Sequence, residues 1–231
     1  LISGAAGATG SVAAQIAKIH GCTVIGTAGS HEKCQWLLDN HICDRVVNYK
    51  THKGKMAKEI RLACKSCDVN TKGVDIVFDN VGGQFLEAAL ANLNQGARVV
   101  LCGAISQYNT AGLNSVKKHS NNSNQQQQQQ QSLAEINTGP RNYMALLINR
   151  ATMCGFVVFD YRRQYVDALQ QIASWIQSKK LIHREHIFDG LHSFYPAFTS
   201  LFDGTNNGKV ILKLSSSHEK RPFPSQLNSK L

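Results

Sequence analysis

The feature that most restricts the fold of this 231-residue chain is a glycine triplet close to its first residue. A short apolar run at residues 1–3 leads into Gly4, Gly7 and Gly10, and a stretch with helical character continues to about Ile19. Strand, glycine turn and helix in this order are typical of a dinucleotide-binding unit, because small residues let the backbone approach a pyrophosphate whose charge faces the helix N-terminus. The turn therefore predicts binding of a dinucleotide.

The triplet alone is weak evidence, because glycine-rich turns also join strands to helices that bind nothing. Its surroundings favour the binding interpretation. Residues 23–27 have the composition of a second buried strand, and residues 1–28 together have the length of one βαβ unit.

The rest of the chain alternates short apolar strands with helices. We therefore predict an α/β fold, a Rossmann-type doubly wound parallel sheet with ligands at the carboxyl ends of its strands. Beyond the first unit, strands are predicted at residues 45–48, 74–79, 98–102, 153–158 and 210–214, and helices from residue 53, from 85 to about 94, and at 143–148, 166–176 and 195–201.

Two segments depart from this alternation. Residues 113–139 are rich in asparagine and glutamine, with an uninterrupted glutamine run at 125–131, and cannot bury enough apolar surface to offset their ordering entropy. The polar tail after residue 214 is predicted to be flexible. The predicted domains are residues 1–112, the first part of the Rossmann domain; 113–139, a disordered insertion; 140–214, the remainder of that domain with a C-terminal return segment; and 215–231, the tail.

Composition limits the partners. The formal net charge is +10, yet the lysines and arginines are dispersed rather than gathered with aromatic residues, so no nucleic acid is expected. No apolar run has membrane-spanning length and no secretory leader is recognised, so a soluble protein without a membrane partner is expected. Seven scattered cysteines, an odd number, fit a reducing compartment.

Three short motifs are interpreted as incidental. The C-x-x-C of Cys64 and Cys67 has no second cysteine pair to complete a zinc site. A possible metal cluster of His183, Glu185 and His186 lacks a further ligand group, so a solvated strand or loop is predicted there, and no metal is expected. The Y-x-x-x-K of Tyr49 and Lys53, a pair that short-chain dehydrogenases use, comes too early in the chain for that role.

The end of the second strand indicates which dinucleotide is favoured. Dehydrogenases that prefer NAD place an acidic residue at the end of this strand, where it would repel a 2′-phosphate. Here Ala28, Gly29 and Ser30 follow instead, and Ser30, Lys33 and Tyr49 can donate to a phosphate. The sequence therefore favours NADP(H), although Lys33 could instead merely begin a helix.

Five blocks together resemble the zinc-independent medium-chain dehydrogenases/reductases, in particular the prostaglandin reductase, or leukotriene B4 12-hydroxydehydrogenase, branch. They are residues 4–10, 28–34, 79–83, 102–109 and 155–158. The resemblance covers nearly the whole chain apart from the insertion and the tail. It implies pyrophosphate binding by Gly7, Ala8, Thr9, Gly10, Ser11 and Val12, 2′-phosphate binding by Lys33 and Tyr49, a nicotinamide side lined by Asn80, Cys102, Gly103, Phe156 and Val158, closure over the cofactor by Asn206, and a catalytic Tyr108 near the substrate carbonyl.

Members of this family use NADPH to reduce the carbon–carbon double bond of α,β-unsaturated ketones and aldehydes. The enolate that forms needs a hydrogen-bond donor, for which Tyr108 and a cofactor ribose hydroxyl are the candidates. Tyr108 could instead be a loop residue that covers the sheet edge. Two other functions stay open: an NADPH-binding module without turnover, and a quinone or enoyl-thioester reductase.

The resemblance also implies partners. Family members carry a GroES-like catalytic domain before the cofactor domain, and no such domain precedes Leu1 in this sequence. We therefore expect this chain to be the cofactor-binding part of such an enzyme, with a last strand that would otherwise pack on the catalytic domain. The resemblance further implies an enone or enal substrate and a homodimer. The final residues Ser229, Lys230 and Leu231 spell a peroxisomal import address, which predicts an import receptor as partner, with a cytoplasmic location as the alternative.

Overall fold

The first three residues form the centre of the sheet in the computed structural model, which describes residues 1–51, 54–68, 70–108 and 139–214. The predicted insertion, apart from Gly139, and the predicted tail with its import address lie outside the described residues. In chain order the elements are α1 (Ala8–Ile19), β1 (Ile25–Ala28), α2 (His31–Asp39), β2 (Arg45–Asn48), α3 (Met56–Cys67), β3 (Val74–Asp79), α4 (Gly83–Leu90), β4 (Leu93–Leu101), α5 (Met144–Asn149), β5 (Thr152–Gly155), α6 (Tyr165–Gln177), β6 (Glu185–Asp189), α7 (Phe194–Asp203) and β7 (Lys209–Lys213), with short 3₁₀ helices at Val158–Gln164 and Leu191–Ser193.

The main sheet is parallel, and its strand order reverses at the centre. Ile2 pairs with Gly26 of β1 on one side and with Phe78 of β3 on the other. The sheet continues to β2 beyond β1, and to β4 and then β5 beyond β3. The chain thus winds outward twice from residues 1–3. A crevice at the carboxyl ends follows from this reversal.

Apolar residues cover both faces of this sheet. Successive strand residues point to opposite faces, so Leu1 joins one core cluster and Ile2 the other. Leu37 of α2 is fully buried on the Ile2 side, whereas Ile60 of α3 and Leu90 of α4 are fully buried on the Leu1 side. The predicted doubly wound α/β sheet is confirmed.

A second, two-stranded parallel sheet of β6 and β7 reaches the glycine turn. Gly208, just before β7, forms a parallel bridge with Gly7, and its N–H donates to the carbonyl of Ala6 at 3.1 Å. The segment that precedes β7 is therefore fixed beside the start of α1.

The boundary between α4 and β4 differs from the prediction. The helix was predicted to reach about residue 94, whereas α4 ends at Leu90 and β4 begins at Leu93. The Asn92 side-chain amide donates to the carbonyl of Ala88 at 2.8 Å, and the backbone carbonyl of Asn92 accepts from the Val74 N–H at 2.8 Å. These bonds end the helix, so the helical spacing that included Leu93 was misleading.

One further strand ends earlier than predicted. The strand predicted at residues 153–158 ends at Gly155, after which Phe156 packs its ring against Phe78 and Tyr161 and a 3₁₀ helix begins at Val158. Around His183, Glu185 and His186 a solvated strand or loop was predicted, and residues 185–189 form strand β6 with alternate residues exposed, so the strand alternative is the one observed.

Large apolar side chains are exposed on α5, α6 and the 3₁₀ helix between them. We call the set the α5–α6 surface; its members are Leu147, Ile148, Val158, Phe159, Val166 and Leu169. Exposed apolar side chains in such number favour association with other surfaces. The homodimer nevertheless stays a prediction.

Candidate functional site

A cavity of about 1230 Å³ opens at the carboxyl ends of the central strands, where the strand order reverses. Most of the predicted site residues meet there. Those that line it are Gly7, Ala8, Thr9, Gly10, Lys33, Tyr49, Asn80, Cys102, Gly103, Tyr108 and Asn206. Those that lie outside its lining are Ser11, Val12, Ser30, Phe156 and Val158.

The glycine turn forms one wall of the cavity. Gly7 is the N-cap of α1 with extended backbone and no capping side chain, so the N–H groups of the first helical turn face the cavity without a side chain over them. A Cβ on Gly7 would lie 3.2 Å from the Gly4 carbonyl oxygen, which makes the cradle tight. This wall fits a pyrophosphate.

Two of the residues predicted for the pyrophosphate contribute differently. Ser11 is buried inside α1, where its hydroxyl lies 3.4 Å from the Ala8 carbonyl, and Val12 is half-buried in the same helix. Their role toward a cofactor stays a prediction.

Lys33 and Tyr49 form the end of the cavity beside β1. Lys33 is 8% exposed, and its ammonium donates to the Gly204 carbonyl at 2.6 Å. Burial lowers the pKa of Lys33, and the nearby charge of Lys50 lowers it further. Burial raises the pKa of Tyr49, whose hydroxyl lies 2.5 Å from the place a Cβ on Gly29 would take. The two donors therefore converge where the second strand ends without an acidic residue.

Ser30 has a structural role in this region. Its side chain caps α2 by accepting from the Lys33 N–H at 3.3 Å. Lys33 does lie in the first turn of a helix, since α2 begins at His31, and its role toward a 2′-phosphate stays a prediction. Lys33 also lines the cavity.

At the opposite end of the cavity, a buried carboxylate organises the turn after β3. Asp79 is 0% exposed and accepts from the Ser3 hydroxyl at 2.7 Å and from the N–H groups of Val81 and Gly82 at 2.8 and 3.1 Å. The Asn80 N–H donates to the same Ser3 hydroxyl at 2.7 Å, and its side-chain amide donates to the Ser3 carbonyl at 2.9 Å. Hydrogen bonds from both its backbone and its side chain to Ser3 therefore fix the position of Asn80.

The loop after β4 carries the remaining predicted groups. Cys102 and Gly103 both donate their N–H to the Asp79 carbonyl, at 2.8 and 3.1 Å. Burial raises the pKa of Cys102, so the thiol is not activated as a nucleophile. Tyr108 is 55% exposed, and its hydroxyl oxygen accepts from the Ala104 N–H at 3.1 Å. That bond fixes the ring and leaves the phenolic proton available to donate.

Three further predicted residues differ in their relation to the cavity. Asn206 lines the cavity, and its side-chain amide donates to the Gly208 carbonyl at 3.0 Å. Phe156 packs against the rings of Phe78 and Tyr161, outside the cavity lining, and Val158 is exposed at the start of a 3₁₀ helix. Contact of Phe156 and Val158 with a nicotinamide stays a prediction.

Sequence reasoning missed several site residues. Phe194, Phe198 and Phe202 of α7 line the cavity with neighbouring rings 5.9 and 5.1 Å apart. Their i, i+4 spacing was a usable signal. No pattern marked Asp79 as the acceptor for three donors.

The motifs interpreted as incidental lie among the described residues except for Lys53, which is outside them. In the described ranges no group of three or more His, Cys, Asp or Glu side chains is placed to hold a metal. His183 lies 3.8 Å from Glu185, and the His186 ring nitrogen accepts from the Asn207 N–H at 3.4 Å. Within those same ranges, no helix has the length and apolar character to cross a membrane.

Similarity to known proteins covers the same residues. The sequence model of the zinc-binding dehydrogenase family matches residues 8–174. Prostaglandin reductase 1 of Bos taurus is 34% identical over 214 residues, which cover 92% of this chain and 56% of that protein. The 2-alkenal reductase (NADP(+)-dependent) of Nicotiana tabacum is 34% identical over 214 residues, which cover 93% of this chain and 53% of that protein.

A solved structure has the same fold. CurA from Vibrio vulnificus in complex with NADPH superposes with a TM-score of 0.71 at 33% identity, covering 93% of this chain and 56% of that one. These similarities confirm the predicted resemblance to the prostaglandin reductase branch. The chain spans about half the length of the relatives it matches.

Proposed function

Because the chain belongs to the zinc-binding dehydrogenase family, we propose that it binds NADP(H) as the cofactor-binding part of a reductase for α,β-unsaturated ketones or aldehydes. The observation that carries this proposal is that one cavity is lined by the glycine turn, by the Lys33 and Tyr49 donors at one end, and by Tyr108 at the other. The printed names of the tobacco 2-alkenal reductase and the bovine prostaglandin reductase support the substrate class.

The residues present fit this cofactor. The first turn of α1 offers amide donors to a pyrophosphate, and Lys33 and Tyr49 offer an ammonium and a hydroxyl to a 2′-phosphate. Gly29 and Ser30 follow β1, so no carboxylate stands there to repel that phosphate. The complex of CurA with NADPH supports the same choice.

The chain's own groups then orient and polarise a substrate. Bound NADPH supplies the hydride. Asn80 and Gly103 line the cavity, and hydrogen bonds to Ser3 and Asp79 fix their positions. Tyr108, fixed by the Ala104 N–H, donates its phenolic proton in a hydrogen bond to the oxygen on which negative charge develops. The rings of Phe194, Phe198 and Phe202 add an apolar wall to the cavity.

The cofactor assignment is tested by comparing NADPH with NADH on the full chain and on Lys33→Met. Removing the ammonium should weaken NADPH binding by about tenfold or more and leave NADH binding unchanged, because a charged hydrogen bond to phosphate is lost. Fluorescence titration measures both dissociation constants. Lys58→Met, which removes an exposed lysine of α3, is the matched control. Equal binding of NADPH and NADH by the unaltered chain would refute the NADP(H) assignment.

Tyr108→Phe separates the substrate role from cofactor binding. We expect turnover of an α,β-unsaturated ketone to fall by about tenfold or more, since a donor to the developing oxyanion is removed. NADPH affinity should not change, because the Tyr108 ring remains. Loss of NADPH absorbance gives the rate, and titration gives the affinity. A parallel loss of both quantities would show that Tyr108 only supports the loop.

A further inference from the structure

Two lysines meet at the C-terminal end of α7. Lys33 donates to the carbonyl of Gly204 at 2.6 Å, and Lys50 donates to the carbonyl of Asp203 at 3.3 Å. Lys33 lies in α2 and Lys50 shortly after β2, so the two ammonium groups come from separate elements. The last carbonyls of a helix have no partner within the helix and carry the negative end of its dipole. They are therefore natural acceptors for cations.

The positive charge here exceeds the negative charge that faces it. Lys33 and Lys50 repel each other, and this repulsion adds to burial in lowering the pKa of Lys33. The Asp203 carboxylate is engaged by the N–H and hydroxyl of Thr205, at 2.8 and 2.7 Å. Lys33 and Lys50 donate to neutral carbonyls, and the Glu32 carboxylate, which also acts on Lys33, is paired with Arg184 at 2.8 Å. An anion with two charges would satisfy this pair of ammonium groups better.

Lys33 lies at the end of the cavity proposed for the 2′-phosphate, and Lys50 is an exposed residue outside the lining whose ammonium bonds the adjacent Asp203 carbonyl. Lys33, Tyr49 and Gly204 all line the cavity, and a Cβ on Gly204 would lie 3.4 Å from the Tyr49 hydroxyl. The backbone continues from Gly204 to Asn206, which lines the cavity farther along, and to Gly208, which is bonded to the glycine turn. One short segment thus links both ends of the cavity.

We infer that Lys50 is a second cation for the 2′-phosphate, and that the carbonyls of Asp203 and Gly204 hold Lys33 and Lys50 until that phosphate binds. This inference rests on the proposed binding of NADP(H). A phosphate is the stronger acceptor because its hydrogen bonds to ammonium groups pair opposite charges, so it displaces the neutral carbonyls. Release of these carbonyls frees residues 203–206. The phosphate at one end of the cavity thereby sets the mobility of the segment that carries Asn206.

The affinity test uses 2′,5′-ADP and 5′-AMP, which differ in the 2′-phosphate and contain no nicotinamide. Calorimetric titration of the full chain should show that Lys50→Met binds 2′,5′-ADP and NADPH about fivefold to tenfold more weakly. Binding of 5′-AMP and NADH should be unchanged. Lys50→Arg should keep the affinity of the unaltered chain within about twofold, since it keeps the charge. Lys58→Met is again the control, and a thermal unfolding curve verifies that each variant folds.

The second readout is hydrogen exchange of residues 203–208. We expect 2′,5′-ADP, and not 5′-AMP, to speed exchange in this segment, and the double variant of Lys33→Met with Lys50→Met to exchange fast without ligand. No change in exchange with 2′,5′-ADP would overturn the holding role of the carbonyls. A preference for NADPH that Lys50→Met leaves intact would overturn the role of Lys50 while the proposed function stands. An unaltered chain without preference for NADPH would overturn both.

Discussion

Gly10→Ala should destabilise the chain by about 3 kcal/mol, because its new methyl group would meet only backbone. The Cβ would overlap the Gly4 carbonyl oxygen and lie 2.8 Å from the Gly4 carbonyl carbon and 3.0 Å from the Ala5 Cα. The glycine turn cannot move away from the new methyl group, because the Ala5 N–H donates to the Thr27 carbonyl at 2.9 Å and so fixes the turn to β1. Urea denaturation, followed by circular dichroism, measures the loss.

The matched control is Gly155→Ala at the end of β5. A Cβ there meets no atom within 4 Å, and the backbone of Gly155 does not have a positive φ. We expect a change of less than about 0.5 kcal/mol in the free energy of unfolding. If Gly10→Ala cost no more than this control, the close approach of α1 to the glycine turn would be wrong.

Asp79→Ala should cost a similar amount, about 3 kcal/mol, because it leaves buried donors without an acceptor. The Ser3 hydroxyl and the N–H groups of Val81 and Gly82 all donate to this carboxylate. Asp79→Asn should cost less, since one amide oxygen can still accept. Chemical denaturation of both variants gives the two values.

Asp75→Ala on the same strand is the control for this prediction. Asp75 is exposed and accepts from the Asn94 side chain at 2.9 Å, so water replaces the lost bond and the change should stay within about 0.5 kcal/mol. Equal losses for the Asp75→Ala and Asp79→Ala variants would mean that the buried network contributes little.

Local sequence patterns were sufficient to predict those elements whose apolar residues are close together in the sequence. The strand at Val74–Asp79 and the strand at Arg45–Asn48 were predicted with their observed bounds, because short apolar runs between polar turns are typical of strands in a parallel sheet. The glycine turn was equally readable. Its spacing reflects a backbone approach that only glycine permits, as the crowded position of Gly10 shows.

Contacts between residues far apart in the chain could not be predicted from the sequence. The bond from Lys33 to Gly204 joins residues 171 positions apart, and the sequence indicated a cation without indicating what holds it. The break at Asn92 depends on a bond to Val74 of a neighbouring strand, which no helical periodicity contains. Asp79 resembled any acidic residue at a strand end until Ser3 was placed beside it.

The α5–α6 surface affects how the chain is handled in a cell. Molecular chaperones retain newly made polypeptides through exposed apolar side chains such as Leu147, Phe159 and Leu169. A chain that still presents these residues after folding keeps a feature by which quality control identifies unfinished proteins. We expect a surface that covers these residues to raise the abundance of the chain without changing how well the cavity binds its cofactor.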